Sequence, residues 1–451
     1  MSLKGDRHII ISPHITGGGE MKEEKSVTIS RRLLLKLLGG GAVWLGLNKL
    51  TPVCAQVSGQ AIEPLPSFTG PEANPYWGAV GQFVIYPQKL PLIQLTDRPV
   101  QLETPRNYFL TSFTPNAAFY VRWHLDEIPN GVNLSDWRLC VEGNVEKPLA
   151  LSMSDLMSQF KSVSIAAVNQ CSGNSRSRFQ PRVPGGQWGN GAMGNALFTG
   201  VCLKDLLDAA GIKPGSSQVQ FEGLDRGRGP EGKGSRNYLK SLGLSDPAID
   251  ETIVAYEMNG EPLPMLNGFP VRLVVPGKFA TYWTKALTWI RVLTDLDTNY
   301  WMSKAYCIPN TPRGNTTPKD VNEGRVEMIP IGTMPVRSFV IAPDGSSKIP
   351  EEMPVTVRGI AFSGYGRVVK VEFSCDGGKF WNKAELGEDY GQYSFRTWQT
   401  TWIPKRTGKY ILAVRATDER GNIQTDKGVW NPGGYLWNKV ERQEVIVGAA
   451  K

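Results

Sequence analysis

Residues 326–451 alternate apolar and polar side chains with a period of two, and this pattern constrains the fold more than any other feature of the sequence. The alternating runs are 355–360, 368–374, 395–402 and 410–417. Turn-forming residues at 376–378 and 418–422 separate them, and strands joined by such turns pair antiparallel. We therefore predict that residues 326–451 form an all-β sandwich of the immunoglobulin type.

The preceding residues, 112–325, combine short apolar strands with glycine-rich loops and a few helices. Strands are predicted at 163–168, 218–221 and 271–275, and a helix at Leu203–Ala210 that ends at Gly211. Helices do not alternate regularly with the strands, so a doubly wound sheet is not expected. The prediction for the whole chain is an α+β fold. Residues 56–111 are rich in proline, and we predict an arm with little regular structure.

The first 55 residues have the composition of an export signal. Arg31 and Arg32 precede an apolar, glycine-rich run, and Val53-Cys54-Ala55 follows it. Paired arginines before such a run are typical of a twin-arginine signal. We predict cleavage after Ala55 and a periplasmic location, and the true start could be Met21. An uncleaved anchor and a lipoprotein are the alternatives, although the run is marginal for a membrane span.

Composition and charge exclude several classes of protein. The chain has 451 residues, of which 41% are hydrophobic and 20% charged, as in ordinary globular proteins. The net charge is +8, but residues 1–55 hold 8 Lys/Arg and 4 Asp/Glu, so the remainder carries 42 minus 38, or +4. This small excess does not indicate nucleic-acid binding.

The cysteines and histidines exclude most metal sites that a protein can build alone. Beyond residue 55 the cysteines are Cys140, Cys171, Cys202, Cys307 and Cys375, and the one histidine is His124. No CxxC pair occurs, which argues against a disulfide framework, a zinc ribbon or an iron–sulfur cluster. No CxxCH sequence is present either, so no haem is expected in this chain. A zinc or serine hydrolase is improbable with a single histidine.

Cys171 is the cysteine best placed for chemistry. It lies where the apolar strand 163–168 passes into the polar loop 169–176. Arg176 and Arg178 are close in sequence and would favour the thiolate, the form that binds metals. An unreactive buried cysteine is the alternative for Cys171, and it is our interpretation of the other four.

Two further segments gather cations next to apolar strands. Residues 119–124 alternate as a strand does, which would put Tyr120, Arg122 and His124 on one face. Residues 269–277 and 281–285 add Arg272 and Lys285. Surface ion pairs explain each cation alone, but a cluster beside apolar strands fits an anion site better.

Together these segments resemble the sulfite oxidase family of molybdopterin enzymes. The resemblance covers 120–124, 169–176, 185–195, 221–225 and 255–260, and it extends to the C-terminal sandwich. The most similar form is the bacterial periplasmic sulfite dehydrogenase, the catalytic subunit of a sulfite:cytochrome c oxidoreductase, which lacks a fused haem domain. The resemblance implies a molybdopterin-binding catalytic domain at 112–325 and a dimerisation domain at 326–451.

The resemblance also assigns residues. Cys171 corresponds to the thiolate ligand of molybdenum. Residues implied to contact the cofactor are Tyr120, Val121, Arg122, Trp123, His124, Cys171, Asp225, Asn267, Arg272, Trp283, Thr284 and Lys285. Arg122, Arg176 and Tyr306 correspond to the anion pocket, with His124 close by and Trp301 as a weaker candidate. Position 267 is Asn where animal members carry His, which affects one phosphate contact.

The implied reaction is oxidation of sulfite to sulfate by oxygen-atom transfer at a molybdenum centre. A separate c-type cytochrome would accept the electrons, and a homodimer or a heterodimer with a cytochrome subunit is expected. No nucleic acid and no stable membrane span are expected after signal cleavage. The alternatives are a sulfur dehydrogenase of a thiosulfate pathway, a sulfoxide reductase, and a non-catalytic scaffold that retains the fold.

Overall fold

The computed structural model describes residues 9–10, 28–29, 82–84, 88–97, 99–228 and 235–449. It confirms the predicted α+β class: most of the regular structure is strand, helices are few and short, and the C-terminal part is all-β. Within the described ranges, no helix is both long and apolar enough to cross a bilayer. The predicted export signal and its cleavage site lie almost entirely outside the described residues.

The chain forms two compact units. One comprises Met1–Pro66 with Asn133–Trp137, and the other comprises Ser67–Val132 with Arg138–Lys451. In the first unit, residues 133–137 form a turn in which the Asn133 carbonyl accepts the amide hydrogens of Asp136 and Trp137.

Two five-stranded sheets form the middle of the chain. The first has the order Glu261–Pro262, Ile253–Met258, Met193–Cys202, Ser162–Gln170, with Arg272–Val274 also paired to Ile253–Met258. The second has the order Ser235–Gly243, Gln218–Arg228, Leu287–Leu293, Leu139–Gly143, Leu149–Leu151. All of these pairs are antiparallel except that of Leu287–Leu293 with Leu139–Gly143. A two-stranded hairpin, Cys307–Pro309 with Met328–Pro330, follows.

Short helices connect these strands. The α-helices are Met153–Gln159, Leu203–Ala210, Ala248–Glu251, Tyr300–Ser303 and Pro318–Asn322, and the 3-10 helices are Arg106–Leu110, Asn116–Ala118, Arg176–Arg178, Met265–Asn267 and Ala280–Tyr282. Met153–Gln159 begins with a capping box between Ser152 and Asp155. Leu203–Ala210 has the predicted bounds and ends at Gly211, whose φ of 69° is costly for other residues.

The prediction of little regular structure in the proline-rich arm is wrong for its described part. A four-stranded antiparallel sheet is formed by Gln82–Val84, Leu92–Asp97, Val100–Glu103 and Val121–Arg122. Leu92, Val100 and Leu102 are buried in one apolar cluster with Val121 and Trp123. Burial of these side chains stabilises the strands, although the alternation of apolar and polar residues that would have predicted them is weak.

The C-terminal part is the predicted sandwich of two sheets, in which all strand pairs but one are antiparallel. One has the order Arg337–Ala342, Val355–Phe362, Arg396–Trp402, Glu385–Leu386, and the other Ile349–Pro350, Arg442–Gly448, Gly408–Asp418, Val368–Ser374, Asn382–Lys383. In the second sheet, Ile349–Pro350 runs parallel to its neighbour. Side chains from both sheets, among them Val357, Phe373, Trp398 and Leu412, fill the core. The exact boundary at residues 325 and 326 stays a prediction.

A buried polar network connects the sandwich with the loop that carries Cys171. Arg337, at the start of a sandwich strand, donates to the side chains of Ser175 at 2.6 Å, Asn190 at 2.9 Å and Glu441 at 2.8 Å. Arg178 pairs with the other Glu441 oxygen at 3.1 Å. Burial alone would raise the pKa of Glu441, but Arg178 and Arg337 lower it to about 2.

We predict that Glu441→Gln destabilises the fold by about 3 kcal/mol at pH 7, because the pKa falls from 4.5 to about 2 and one pKa unit equals about 1.4 kcal/mol. A carboxyl with a lowered folded-state pKa stabilises the protein above its ordinary pKa, and this contribution is lost as pH falls from about 4.5 toward 2. Urea unfolding at several pH values measures the effect, and the gap between wild type and variant should narrow with acid.

The matched control is Glu444→Gln in the adjoining strand, where an exposed ion pair with Lys409 should contribute no more than about 1 kcal/mol. A Glu441→Gln variant as stable as this control, or a stability gap that does not change with pH, would contradict the prediction.

Candidate functional site

The first sheet fixes the position of Cys171. Strand Ser162–Gln170 ends immediately before it, and Gln170 pairs with Met193 of the neighbouring strand. The amide of Cys171 continues the ladder by donating to the Ala192 carbonyl at 2.9 Å. The thiol therefore lies at the edge of a rigid sheet, buried at the base of a cavity.

The residues after Cys171 form a tight, internally bonded loop. The Asn174 amide donates to the Cys171 carbonyl at 3.0 Å, and the Asn174 side chain bonds both Gln170 at 3.2 Å and the amide of Ala192 at 3.1 Å. Ser175 adopts a left-handed conformation with φ of 67°. These contacts hold the thiol with little freedom to move.

A first cavity opens beside Cys171 and is lined from five segments of the chain. The lining residues are Tyr120, Arg122, His124, Asn169, Cys171, Ser172, Leu266, Asn267, Arg272, Ala280, Thr281, Lys285 and Tyr306. The prediction that Tyr120, Arg122 and His124 share a face is confirmed, although only Val121–Arg122 is regular strand. The cavity is rich in donors.

Positive charge is concentrated at this cavity. Burial lowers the pKa of Arg272 to about 10, and burial together with Arg272 lowers the pKa of Lys285. Lys89 borders the cavity by donating to Asn267, and burial and Arg272 lower its pKa to about 7. All three pKa shifts come first from poor solvation, and for Lys285 and Lys89 the positive charge of Arg272 adds to it. An anion bound here would be stabilised strongly.

The same region contains buried polar atoms without a protein partner. They are Asn169 Nδ2, Ser172 Oγ, Arg272 Nε and Thr284 Oγ1. Such atoms cost about 1–3 kcal/mol each unless a ligand or water satisfies them. A pterin with a phosphate and a dithiolene offers acceptors for the donors, negative charge for the cations and a metal for the thiolate. The donor set therefore fits the molybdenum cofactor.

Among the residues that the structure describes, no group of three or more His, Cys, Asp or Glu side chains is arranged to hold a metal ion. Cys171 is the side chain at the cavity that offers a soft ligand. A metal at this position would take its other ligands from the cofactor.

A second cavity leads from Cys171 toward solvent. It measures about 380 Å³ and shares Arg122, Cys171 and Tyr306 with the first. Its other lining residues are Gln101, Arg176, Pro184, Gly185, Gly186, Trp188, Pro432, Gly433 and Tyr435. A small substrate in this cavity would therefore meet the thiol, Arg122 and Tyr306 together.

Arg122 and Tyr306 form a hydrogen-bonded pair at the junction of the two cavities. Arg122 Nη2 donates to the Tyr306 hydroxyl at 3.0 Å. Burial alone would lower the pKa of Arg122, but the neighbouring Tyr306 and Cys171 raise it, so the guanidinium stays charged. Burial raises the pKa of Tyr306 in spite of Arg122, so the phenol keeps its proton. Because the Tyr306 oxygen accepts from Arg122, its own O–H is available to a bound oxyanion.

His124 lies behind this pair in an aromatic cluster. Its ring stacks on Tyr238 at 3.6 Å and meets Tyr306 edge-on at 5.3 Å. Burial, followed by the positive charges of Arg122 and Lys285, holds the pKa of His124 well below its ordinary value. The imidazole is therefore neutral, and it contributes a hydrogen bond or packing to an anion site, not charge.

Arg176 lines the second cavity and bonds to two other segments of its lining. Its Nε donates to the Gly433 carbonyl at 3.0 Å and its Nη1 to the Gly186 carbonyl at 3.0 Å. The guanidinium also lies over the Tyr435 ring at 5.3 Å. Arg176 thus joins the Cys171 loop to the sandwich domain, with its remaining N–H groups available to a substrate.

Other residues assigned by resemblance surround the cavities without lining them. Asp225 is buried, and burial raises its pKa although the adjacent Lys285 acts in the opposite direction. The Trp283 ring packs on Arg272 at 5.6 Å, and Trp301 stacks on Tyr306 at 6.1 Å. The side chains of Val121 and Trp123 belong to an apolar cluster, and Thr284 is buried. Their cofactor contacts stay predictions.

Sequence reasoning missed several residues of the site. Tyr435 comes from the sandwich domain and stacks on Tyr306 at 5.9 Å. Lys240 is buried, donates to the Trp301 carbonyl at 2.7 Å and lies 5.9 Å from the centre of the Tyr306 ring. The sequence does mark the segment around Tyr435, because residues 429–437 interrupt the alternation of apolar and polar residues with glycines and aromatic residues. No local signal marks Lys240, which lies in an ordinary strand.

The other cysteines among the described residues are free thiols. Cys307 is buried, whereas Cys140, Cys202 and Cys375 are half-buried. Burial raises the pKa of all four, so they remain protonated and unreactive at neutral pH.

Two parts of the described chain match known protein families. Residues 125–301 match the oxidoreductase molybdopterin binding domain, and residues 329–447 match the Mo-co oxidoreductase dimerisation domain. The structure resembles that of the sulfane dehydrogenase SoxCD from Paracoccus pantotrophus, with a TM-score of 0.67 and 24% identity over 81% of this chain and 87% of that one. This likeness supports the fold.

Similar curated proteins include sulfite oxidases and nitrate reductases. Sulfite oxidase from Gallus gallus is 35% identical over 359 residues, covering 76% of this chain and 75% of its own. Mitochondrial sulfite oxidase from Rattus norvegicus is 32% identical over 80% of this chain and 67% of its own. The NADH nitrate reductase of Spinacia oleracea is 31% identical over 77% of this chain but 39% of its own. The aligned region therefore spans only part of these proteins.

We predict that Cys171→Ser abolishes turnover, because a serine hydroxyl does not replace a thiolate as a ligand for a soft or high-valent metal. Molybdenum and pterin content should be measured alongside activity to separate loss of the ligand from loss of the cofactor. Cys202→Ser is the matched control, since it also lies at a sheet and should stay active. Near-normal activity in Cys171→Ser would refute the assignment.

Proposed function

This chain belongs to the sulfite oxidase family of molybdopterin-dependent oxidoreductases, and from that membership we propose that it oxidises sulfite to sulfate. Membership of this family establishes the general activity, which is a redox reaction at a molybdenum cofactor. Sulfite as the substrate is the proposal, because relatives with other substrates share the same domains.

The observation that carries the proposal is the pairing of Arg122 with Tyr306 beside Cys171. A charged guanidinium and a protonated phenol converge where the two cavities meet. This is the arrangement that a small, compact oxyanion needs, because both groups donate to oxygen and the guanidinium supplies charge. Sulfite has the size and the acceptors to use them.

When bound, the molybdenum cofactor supplies the oxygen transfer and takes up two electrons. Cys171 would hold the metal, while Arg272, Lys285 and Asn267 would hold the pterin and its phosphate. Arg122 binds the oxyanion and keeps its charge throughout. Tyr306 donates its hydroxyl hydrogen to a substrate oxygen and orients the sulfur toward the thiolate side of the cavity. His124, being neutral, positions Tyr306 by edge-on packing.

Reoxidation requires an external acceptor in our proposal. We expect a c-type cytochrome that accepts the electrons singly, and assembly as a homodimer through the sandwich domain or as a heterodimer with a cytochrome subunit. The match to a dimerisation domain at 329–447 supports self-association. We further propose export by the twin-arginine route to the periplasm, which rests on the arginine pair at residues 31 and 32.

The direct test is metal analysis of protein purified from a host that makes molybdenum cofactor, paired with reduction of cytochrome c by sulfite. We expect about one molybdenum per chain and sulfite-dependent reduction. Metal without sulfite activity, but with turnover of thiosulfate-derived sulfur, nitrate or a sulfoxide, would overturn the substrate. Absence of metal would support a non-catalytic scaffold.

We predict that Arg122→Gln lowers kcat/KM for sulfite by about 10- to 100-fold, mainly through KM, because a charge-assisted hydrogen bond contributes about 1.5–3 kcal/mol. Steady-state kinetics at constant molybdenum content measures this. Arg358→Gln, on an exposed position of the sandwich, is the control. An unchanged KM in Arg122→Gln would show that sulfite does not bind at Arg122 and Tyr306.

A further inference from the structure

Lys240 is a buried lysine next to Tyr306 that the proposed mechanism does not use. It lies in the strand Ser235–Gly243, and its relative exposure is 0%. Tyr238 precedes it by two residues, and side chains two apart in a strand lie on the same face. Tyr238 stacks on His124 at 3.6 Å and meets the Tyr306 ring at 6.5 Å. Lys240 therefore faces the aromatic cluster that supports the substrate pair.

The charge of Lys240 is stabilised by a carbonyl and by two aromatic rings. Its Nζ donates to the Trp301 carbonyl at 2.7 Å, and it lies 4.9 Å from the centre of the Tyr282 ring and 5.9 Å from that of Tyr306. Aromatic rings attract a cation at these distances, most strongly where water is excluded. Burial lowers the pKa of Lys240 to about 8, so the side chain remains mostly charged at pH 7. The Tyr306 ring is therefore attracted toward the ammonium.

The hydrogen bond from Lys240 also holds the segment that carries Tyr306. Trp301 belongs to the short helix Tyr300–Ser303, and the chain reaches Tyr306 three residues after this helix ends. At the start of the helix, the Asn299 side chain accepts from the Trp301 amide at 2.7 Å. Lys240 binds the carbonyl of the same residue, and the Trp301 ring stacks on Tyr306 at 6.1 Å. A displacement of Trp301 would therefore displace Tyr306.

The backbone of Tyr306 needs such support. Its φ of 55° lies in the left-handed region, which residues other than glycine adopt at a cost and keep only where surrounding contacts hold them. The Tyr306 carbonyl accepts from the Ile331 amide at 2.8 Å, which fixes the main chain on one side. The contacts of Lys240 act on the ring and on the preceding helix.

Lys240 reaches the substrate site only through other side chains. It does not line either cavity, whereas Tyr306 lines both. The Tyr306 hydroxyl accepts from Arg122 at 3.0 Å, which leaves its own hydrogen for a bound oxyanion. The direction of this O–H bond depends on where the ring is held.

We propose that Lys240 is a positioning residue of the oxyanion site: it holds the Tyr306 ring, through the Trp301 carbonyl and through its own charge, where the hydroxyl meets the substrate. The proposal rests on the proposed function, because that function assigns Tyr306 to the substrate. Without the ammonium, the aromatic cluster stays packed but the phenol is held less firmly, so substrate binding weakens.

The test is Lys240→Met in the holoenzyme at pH 7. Methionine is flexible and apolar, so it removes the charge and the N–H donors while filling similar space. The KM for sulfite should rise roughly tenfold, the scale of a desolvated cation–π contact, while kcat changes less than about threefold. The affinity for the product sulfate, measured by calorimetry, should fall by about the same factor. Molybdenum content and the midpoint of urea unfolding should stay close to those of the wild type.

A double-mutant cycle with Tyr306→Phe separates an effect through the Tyr306 hydroxyl from a general one. Once the hydroxyl is gone, Lys240→Met should change the KM by less than about twofold. Lys278→Met is the matched control, because Lys278 also lies over the Tyr282 ring, at 5.9 Å, but pairs with Asp246. Its KM should equal that of the wild type.

Lys240→Gln keeps an N–H donor without the charge and should give an intermediate KM. It replaces Lys240→Met in the cycle if the methionine variant does not fold.

An unchanged KM and sulfate affinity in Lys240→Met would overturn the positioning role and leave the proposed function intact. An equal rise in KM with and without the Tyr306 hydroxyl, or a rise of the same size in Lys278→Met, would overturn it as well. If the wild type does not oxidise sulfite but sulfate binding weakens in Lys240→Met as expected, the proposed function fails and the positioning role stands. If the wild type neither oxidises sulfite nor binds sulfate, both fail.

Discussion

The buried positive charge next to Cys171 is the constraint on which the site depends. Arg122, Arg272 and Lys285 meet in a poorly solvated cavity where Asp225 offsets only part of their charge. Burying a charge costs several kcal/mol per ion unless it is compensated. A bound anionic cofactor supplies that compensation, so its binding energy adds to the stability of the fold. Cofactor binding and folding of this part of the chain are therefore thermodynamically coupled.

The sandwich domain is part of the same arrangement. Arg337, which is paired with Glu441, donates to Ser175 in the Cys171 loop, and Arg176 donates in the other direction to the Gly433 carbonyl. These contacts run in opposite directions between the same two parts of the chain, so a shift of the sandwich would displace both the thiol loop and the substrate cavity. Dimerisation through this domain would therefore bear on the geometry of each site.

The periodicity of the sequence predicted the structural features that depend on residues close together in the chain. The helix Leu203–Ala210, the sandwich strands and the common face of Tyr120, Arg122 and His124 all follow from periodicity, and the structure has them. The N-terminal sheet and Tyr435 depend on burial against distant segments, which the sequence does not display locally. The neutral state of His124 likewise arises from cations far away in the chain. The family resemblance, not the pattern, identified the cofactor.

Within the site, strands position some of the functional residues and loops position others. Strands position Cys171 and Arg122, whereas loops contribute Pro184, Gly185, Gly186, Pro432 and Gly433 to the second cavity. Loops tolerate change at little cost to the fold. A change in these loops would therefore alter the lining of the second cavity and leave the strands that position Cys171 and Arg122 in place.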